Sequence, residues 1–89
     1  MTNDQDAGPT VGEIAREMRA LRESLGLSQT EVGRLMGISL DTVYVYEGAR
    51  RPIPVPYRVA LRGIVDGVVD LDDPALDAEV VAKIRAGRA

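Results

Sequence analysis

Three consecutive segments of this chain share one pattern, in which a polar residue precedes a short apolar stripe and a glycine follows it. Thr10 and Ser28 each have a glutamate three residues later, the capping-box arrangement that begins an α-helix. Ser39 is a third candidate cap. The glycines placed to end the three segments are Gly26, Gly37 and Gly48. This alternation of capping residues and glycines predicts three successive short helices.

The apolar residues recur at helical spacing. The first stripe is Val11, Ile14, Met18, Leu21 and Leu25, and the second is Val32, Leu35 and Met36. The third helix is predicted over roughly Leu40 to Tyr46.

Two further helices follow a proline-rich segment at residues 48–56, which cannot be helical throughout. Pro56 suits the first turn of a fourth helix. Its inward residues are predicted to be Tyr57, Ala60, Leu61, Ile64 and Val65. Gly67 to Asp72 forms a connector, and Asp73-Pro74 is predicted to open a fifth helix with Leu76, Val80, Val81 and Ile84 on one face. The fold class is therefore all-α with five helices.

Composition excludes several functional classes. The 89 residues contain no Cys and no His, so thiolate and imidazole metal sites and the commonest general base are absent. We expect no enzyme activity, no cofactor and no metal. No apolar run approaches the roughly 20 residues that span a membrane. The polar, acidic N-terminus is unlike a signal peptide, which predicts a cytoplasmic protein.

The net charge of -3 is distributed unevenly along the chain. Residues 11–65 carry eight Arg and six acidic residues, whereas residues 66–89 carry six acidic and three basic residues. A mildly basic middle therefore lies between two acidic ends, and a local nucleic-acid surface is compatible with the acidic total. The predicted organisation is a flexible arm at 1–9, a DNA-binding domain at 10–66, and a C-terminal helical segment at 67–89.

Residues 27–48, LSQTEVGRLMGISLDTVYVYEG, combine two capped helices with a turn centred on glycine, as in a helix-turn-helix. Gly33 is expected where the two helices cross closely, a place for Gly or Ala only. Gly37 is expected in the turn conformation that other residues avoid.

The stretches LxxxLGLSQTEVGRLMGIS (Leu21 to Ser39) and YEGARRP (Tyr46 to Pro52) resemble the Cro/CI-type, or XRE, helix-turn-helix family of phage and bacterial regulators. The resemblance covers Ile14–Ile64. It implies a lambda-repressor-like domain that places its third helix in the major groove of double-stranded DNA. Tyr46 stands where Trp is commoner in the family.

Carried over by position, the resemblance assigns base contacts to Leu40, Asp41, Tyr44 and Val45. Asp41 could accept a hydrogen bond from cytosine N4, and Leu40 or Val45 could touch a thymine methyl. The phosphate contacts are assigned to Gln29, Ser39, Thr42, Arg50 and Arg51. The reading face lacks the Arg, Gln or Asn that most often reads bases bidentately.

The family also pairs an Arg of the first helix with a Glu after the third, and Arg22 and Glu47 occupy those positions as a structural ion pair. Of the two neighbouring tyrosines, Tyr46 is predicted to lie in the core and Tyr44 at the surface. Arg58 and Arg62 are predicted to form a solvated face.

The C-terminal segment has two interpretations: its apolar residues close the core of one chain, or they form the seam of a homodimer, which we favour. The candidate dimerisation residues are Val68, Val69, Leu71, Leu76, Val80, Val81 and Ile84. A dimer would match the two half-sites that such regulators bind.

The leading hypothesis is a dimeric transcriptional repressor or autorepressor, with phage repressor and antitoxin both open. The alternative is a module that binds protein partners through the same scaffold.

Overall fold

A computed structural model describes residues 8–88, and over this range the chain forms five α-helices and no strand. The helices are α1 (Val11–Ser24), α2 (Gln29–Met36), α3 (Leu40–Glu47), α4 (Val55–Asp66) and α5 (Ala78–Arg88). The predicted five-helix, all-α class is confirmed. Residues 1–7 of the predicted arm lie outside the described residues. No helix between residues 8 and 88 is long and apolar enough to cross a membrane.

Both predicted capping boxes are present. The Thr10 hydroxyl accepts a hydrogen bond from the Glu13 backbone amide, and the Glu13 carboxylate accepts one from the Thr10 amide, each at 3.1 Å. Ser28 and Glu31 repeat the arrangement at the start of α2. Each box satisfies two amides that the first turn of a helix leaves without partners, which fixes where α1 and α2 begin.

The buried apolar residues divide into two clusters. The first joins α1, α2, α3 and α4 through Ala15, Met18, Leu21, Val32, Val43, Ile53, Tyr57 and Leu61. The second contains Leu27, Leu35, Ile64, Val80, Val81 and Ile84, and attaches α5 to the rest of the chain. Leu25 and Met36 pack against both clusters. The two helices of the predicted turn motif are therefore held by the first cluster, and α5 by the second.

Ion pairs reinforce the attachment of α5 to α2. Arg34 lies 3.0 Å from the Asp77 carboxylate, and Lys83 lies 2.7 Å from the Glu31 carboxylate. The partners are 43 positions apart in the first pair and 52 in the second, so no local sequence pattern could predict either pair. Because all four side chains are partly exposed, each pair adds little to stability but fixes the register of α5 on α2.

Two predictions about the helices are wrong in detail. Val11, predicted to face the core, is 36% exposed at the first turn of α1. The fifth helix begins at Ala78 rather than at Asp73-Pro74. Asp73 instead closes a local turn by accepting a hydrogen bond from the Ala75 amide, and Asp77 accepts the one from Val80 that begins the helix. Two aspartates in one acidic stretch could each cap a helix, and the sequence indicated the wrong one.

Candidate nucleic-acid interface

The turn between α2 and α3 depends on a glycine in the left-handed region. Gly37 has φ +71° and ψ +30°, a conformation that residues with a side chain rarely adopt. The amide of Ile38 then donates to the carbonyl of Gly33 at 2.9 Å, and Ser39 accepts from the Thr42 amide to begin α3. The turn thus fixes the direction in which α3 leaves α2.

At Gly33, α2 and α3 approach so closely that no side chain fits. A Cβ at this position would lie 2.9 Å from the Ile38 carbonyl oxygen and 3.4 Å from a methyl of Val43. The sequence interpretation allowed Gly or Ala here, but an alanine would require the backbone of the turn to move. Close approach places Val43 in complete burial beneath α2.

One side of α3 remains open to solvent. Leu40, Asp41, Tyr44 and Val45 share this side, whereas the fully buried Val43 points to the core. Asp41 is exposed and Tyr44 is 49% exposed, while Leu40 and Val45 are partly covered. The structure therefore brings together the four residues assigned to base contacts.

Tyr44 and Tyr46 diverge as their spacing predicts. The Tyr46 ring packs against the first cluster and meets Tyr57 edge to face, with ring centroids 5.3 Å apart. Burial raises the pKa of Tyr57 to about 12, so this tyrosine stays neutral through the physiological range.

The two hydroxyls assigned to phosphate are engaged with each other. The Ser39 oxygen accepts from the Thr42 amide at 3.1 Å and lies 2.9 Å from the Thr42 hydroxyl. These hydroxyls stand at the N-terminus of α3, where backbone amides also favour an anion. In the structure these hydroxyls cap the N-terminus of α3.

A nearly buried ion pair joins α1 to the end of α3. Arg22 donates to both carboxylate oxygens of Glu47, from Nε at 2.7 Å and from Nη2 at 2.9 Å, and its Nη1 donates to the Leu27 carbonyl at 2.9 Å. The two side chains are only 10% and 6% exposed. Hydrogen bonds to Glu47 raise the pKa of Arg22. The bidentate pair thus fixes the C-terminal end of α3 against α1.

Gln29 occupies a place that sequence reasoning did not foresee. Its side-chain amide donates to the same Glu47 carboxylate at 3.1 Å. No local spacing signals this bond, because the partners are 18 residues apart in different helices. Gln29 at the start of α2 is partly exposed, so its side chain is held in position while one side remains accessible.

A family model described as a helix-turn-helix domain matches residues 13–78, well over half of the chain. The chain belongs to this family. Comparison with curated proteins and with solved structures finds no match. The match spans the Cro/CI-type stretches identified in the sequence, and this helix-turn-helix domain is consistent with a DNA-binding regulator.

In the helix-turn-helix domain, the segment after α3 carries two exposed arginines, Arg50 and Arg51. Neither forms a salt bridge with an acidic residue of the described chain. The Ala49 residue before them has φ +57° and is the one non-glycine residue with positive φ among residues 8–88. Gly48 ends α3 as predicted, with φ −83°. The left-handed conformation lies at the next residue, Ala49.

Arg58 and Arg62 of α4 differ in their surroundings. Arg62 forms a salt bridge with Glu17 of α1, and Arg58 is partly buried beside it.

The residues assigned to dimerisation also separate into two groups. Val80, Val81 and Ile84 are buried within the second cluster of a single chain, and Val69, Leu71 and Leu76 are half-buried against it. Val68 is 79% exposed.

Proposed function

We propose that this helix-turn-helix domain is a sequence-specific regulator of the Cro/CI (XRE) type, a repressor or autorepressor that binds double-stranded DNA. In this proposal α3 lies in the major groove and presents the open side formed by Leu40, Asp41, Tyr44 and Val45. The observation that supports it best is this solvent-facing side of α3, rigidly held by the turn at Gly37 and by the Arg22–Glu47 pair.

Charge supports the same proposal. Arg50 and Arg51 follow α3 directly and stay free of salt bridges with described residues, so their full charge is available to a phosphate backbone. Basic residues of the C-terminal segment, in contrast, are used internally: Lys83 pairs with Glu31 and Arg85 with Asp72. The segment directly after α3 thus carries two arginines whose charge is not paired within the described residues.

Titration of the purified protein against its own upstream DNA, at two salt concentrations and with a scrambled duplex, tests the proposal. We expect tight, salt-sensitive binding to the native sequence alone. Arg50→Ala and Arg51→Ala should each lower the salt slope by about 0.9, and the double variant by up to about 2. Arg19→Ala, which removes an exposed arginine from α1, is the matched control and should leave the slope unchanged.

We infer further that the protein binds as a homodimer through its C-terminal segment. Because Val80, Val81 and Ile84 are buried within one chain, the proposed seam narrows to Val68 and to a surface cleft of about 820 Å³. The accessible apolar residues that line the cleft include Leu71, Leu76 and Ala82, and Asp73 and Arg85 line it as well. A two-fold copy would oppose apolar to apolar and acid to base.

Sedimentation equilibrium measures the assembly directly. Leu71→Asp should dissociate the dimer, whereas Val59→Asp, an equally polar change at a valine of α4 that is 64% exposed, should not. A monomeric wild-type protein would contradict the dimer. A DNase footprint one helical turn long or shorter would also contradict the dimer.

One observation favours a second candidate, a module that binds protein. The open side of α3 carries apolar groups and one carboxylate but no basic side chain, and the sequence pI is about 4.8. Failure to bind either duplex, together with a protein partner whose affinity falls on Tyr44→Ala, would favour this function over DNA binding.

A further inference from the structure

The recognition helix has an unusual set of side chains for reading DNA. Between Leu40 and Glu47 it contains no Lys, Arg, Asn or Gln. Guanine is most often read by a bidentate Arg or Lys, and adenine by a bidentate Asn or Gln. The usual readers of both purines are therefore missing from the helix itself.

The open side of α3 offers three kinds of group instead. Leu40 and Val45 present aliphatic surface, Tyr44 presents a ring and a hydroxyl, and Asp41 presents a carboxylate that only accepts hydrogen bonds. Leu40 and Tyr44 stand one turn apart, as do Asp41 and Val45, so the four form two short parallel rows. The hydroxyl of the partly buried Thr42 lies at hydrogen-bond distance from that of Ser39.

These groups match the major-groove edges of pyrimidines. Thymine carries a C5-methyl group, which is the apolar feature of that groove, and cytosine carries an N4 amino donor. Burial of the methyl against an aliphatic side chain favours binding, as does a hydrogen bond from the amino group to a carboxylate. Opposite guanine, by contrast, the Asp41 carboxylate would face two acceptors, N7 and O6. Opposite adenine it would meet the N6 amino donor but also the neighbouring N7 acceptor, so cytosine is the better match.

We propose that α3 selects its DNA through pyrimidines, chiefly through the C5-methyl groups of thymines buried against Leu40, Tyr44 and Val45. In this arrangement Asp41 favours a cytosine in the adjoining position. The inference rests on the proposed DNA-binding function and specifies which chemical groups of the DNA are read. Removing one buried methyl should weaken binding about fourfold, the effect expected for burial of a single CH₂-sized group.

The test begins with binding sites selected by the wild-type protein from a random duplex library. In each selected site, thymines are then replaced one at a time by deoxyuridine, which removes the methyl and leaves base pairing intact. We expect an affinity loss of about fourfold at two or more thymines of a half-site. Losses below 1.5-fold at every thymine would overturn the proposal.

A double-mutant cycle assigns the methyl to a side chain. With Val45→Ala, the deoxyuridine penalty at one thymine should fall close to onefold while the other penalties persist. Val59→Ala, the same change at an exposed valine of α4, should leave every penalty intact. If the deoxyuridine penalties stay the same in Val45→Ala, Leu40→Ala and Tyr44→Ala, the deoxyuridine effect arises from DNA shape. That result would overturn the proposal.

The two levels of the hypothesis fail differently. A library from which no sequence is enriched would reject DNA binding itself, and methyl reading with it. Enriched sites that tolerate deoxyuridine would retain DNA binding and reject methyl reading alone. Thermal melts of each variant, recorded beside the binding assays, show that any loss of affinity occurs in a folded protein.

Discussion

Gln29 donates its side-chain hydrogen bond to Glu47, so the first residue of α2 is tied to the last residue of α3. The same carboxylate accepts two hydrogen bonds from Arg22. One acidic group therefore sets the relative positions of three helices. The residue proposed to contact phosphate is thus oriented in advance, which lowers the conformational entropy lost on binding.

Gln29→Ala should separate this positioning from stability. The partly exposed neutral amide contributes one of several hydrogen bonds to Glu47, so we expect a loss of about 0.5–1.5 kcal/mol in the free energy of unfolding. Affinity for DNA should fall more than this loss would explain, since a domain with the usual stability of about 5 kcal/mol or more stays almost entirely folded after such a loss. Urea denaturation and DNA titration of the same preparation provide the comparison. A collapse of stability would make Gln29 structural.

Glu47→Ala should be much more damaging. It leaves Arg22 with a nearly buried charge and one remaining partner, the Leu27 carbonyl, so we expect destabilisation of about 3 kcal/mol. Glu23→Ala is the matched control, because Glu23 pairs with Arg19 on an exposed surface and should cost under about 1 kcal/mol. Equal effects in chemical denaturation would mean that burial does not govern the strength of the Arg22 pair.

Gly33→Ala should destabilise the domain by about 1–3 kcal/mol, because its Cβ would meet the Ile38 carbonyl oxygen at 2.9 Å. Gly87→Ala makes the same chemical change in α5, where nothing lies within 4 Å, and should be neutral or slightly stabilising. Thermal unfolding of the two variants distinguishes crowding from helix propensity. A stabilised Gly33→Ala protein would show that α2 and α3 can separate freely.

Ala49→Gly should stabilise the protein, although it removes a side chain. Ala49 has φ +57°, which costs an L-residue roughly 1 kcal/mol and a glycine very little. The gain is partly offset by the greater freedom of glycine in the unfolded chain, so we expect about 0.5 kcal/mol. The opposite sign is expected for Ala20→Gly, on an exposed face of α1, at about 1 kcal/mol of destabilisation. Differential scanning calorimetry resolves both shifts.

Acid should weaken the attachment of α5. The ammonium of Lys83 and the capping amide of Ser28 lower the pKa of Glu31 to about 2, from 4.5 in a free chain. A carboxyl with a lowered folded pKa stabilises the protein above its unfolded pKa, and this contribution disappears as the pH falls from about 4.5 to about 2. Asp77, whose pKa is lowered by the Val80 amide and then by Arg34, acts in the same direction.

Glu31→Gln removes one titrating group and retains the capping geometry. The variant should therefore lose less stability than the wild type between pH 5 and pH 2.5 in denaturant titrations. Glu79→Gln, at a side chain 86% exposed, should follow the wild-type pH dependence. Identical curves for all three proteins would contradict the assigned role of the Glu31–Lys83 pair.

Features encoded by neighbours in sequence were predictable. The capping boxes at Thr10 and Ser28 act over three residues, and the left-handed turn at Gly37 depends on one residue, so their signals are local. The divergence of Tyr44 and Tyr46 also follows from helical spacing alone. These features carry most of the helix-turn-helix, which is why its fold could be recognised in advance.

Features that depend on distant partners were not predictable from pattern. Asp73 and Asp77 are both able to cap a helix, but Asp77 is the one that accepts from the Val80 amide and pairs with Arg34 of α2, 43 residues away. The side chain of Gln29 could not be placed because its partner lies in another helix. Ala49 shows the same limit, since the closing of α3 forces an unfavoured conformation on a residue that gives no local sign of it.

The placement of the tyrosines equips the protein with its own optical probes. The chain has three tyrosines and no tryptophan, so its intrinsic fluorescence arises from tyrosine alone. Tyr57 is buried and touches Tyr46, whereas Tyr44 stands 49% exposed on the open side of α3. With Tyr44→Phe as the reference, emission from the surface ring can be separated from emission of the core pair. Binding at the open side of α3 and loosening of the interior can then be followed as two signals from one unlabelled sample.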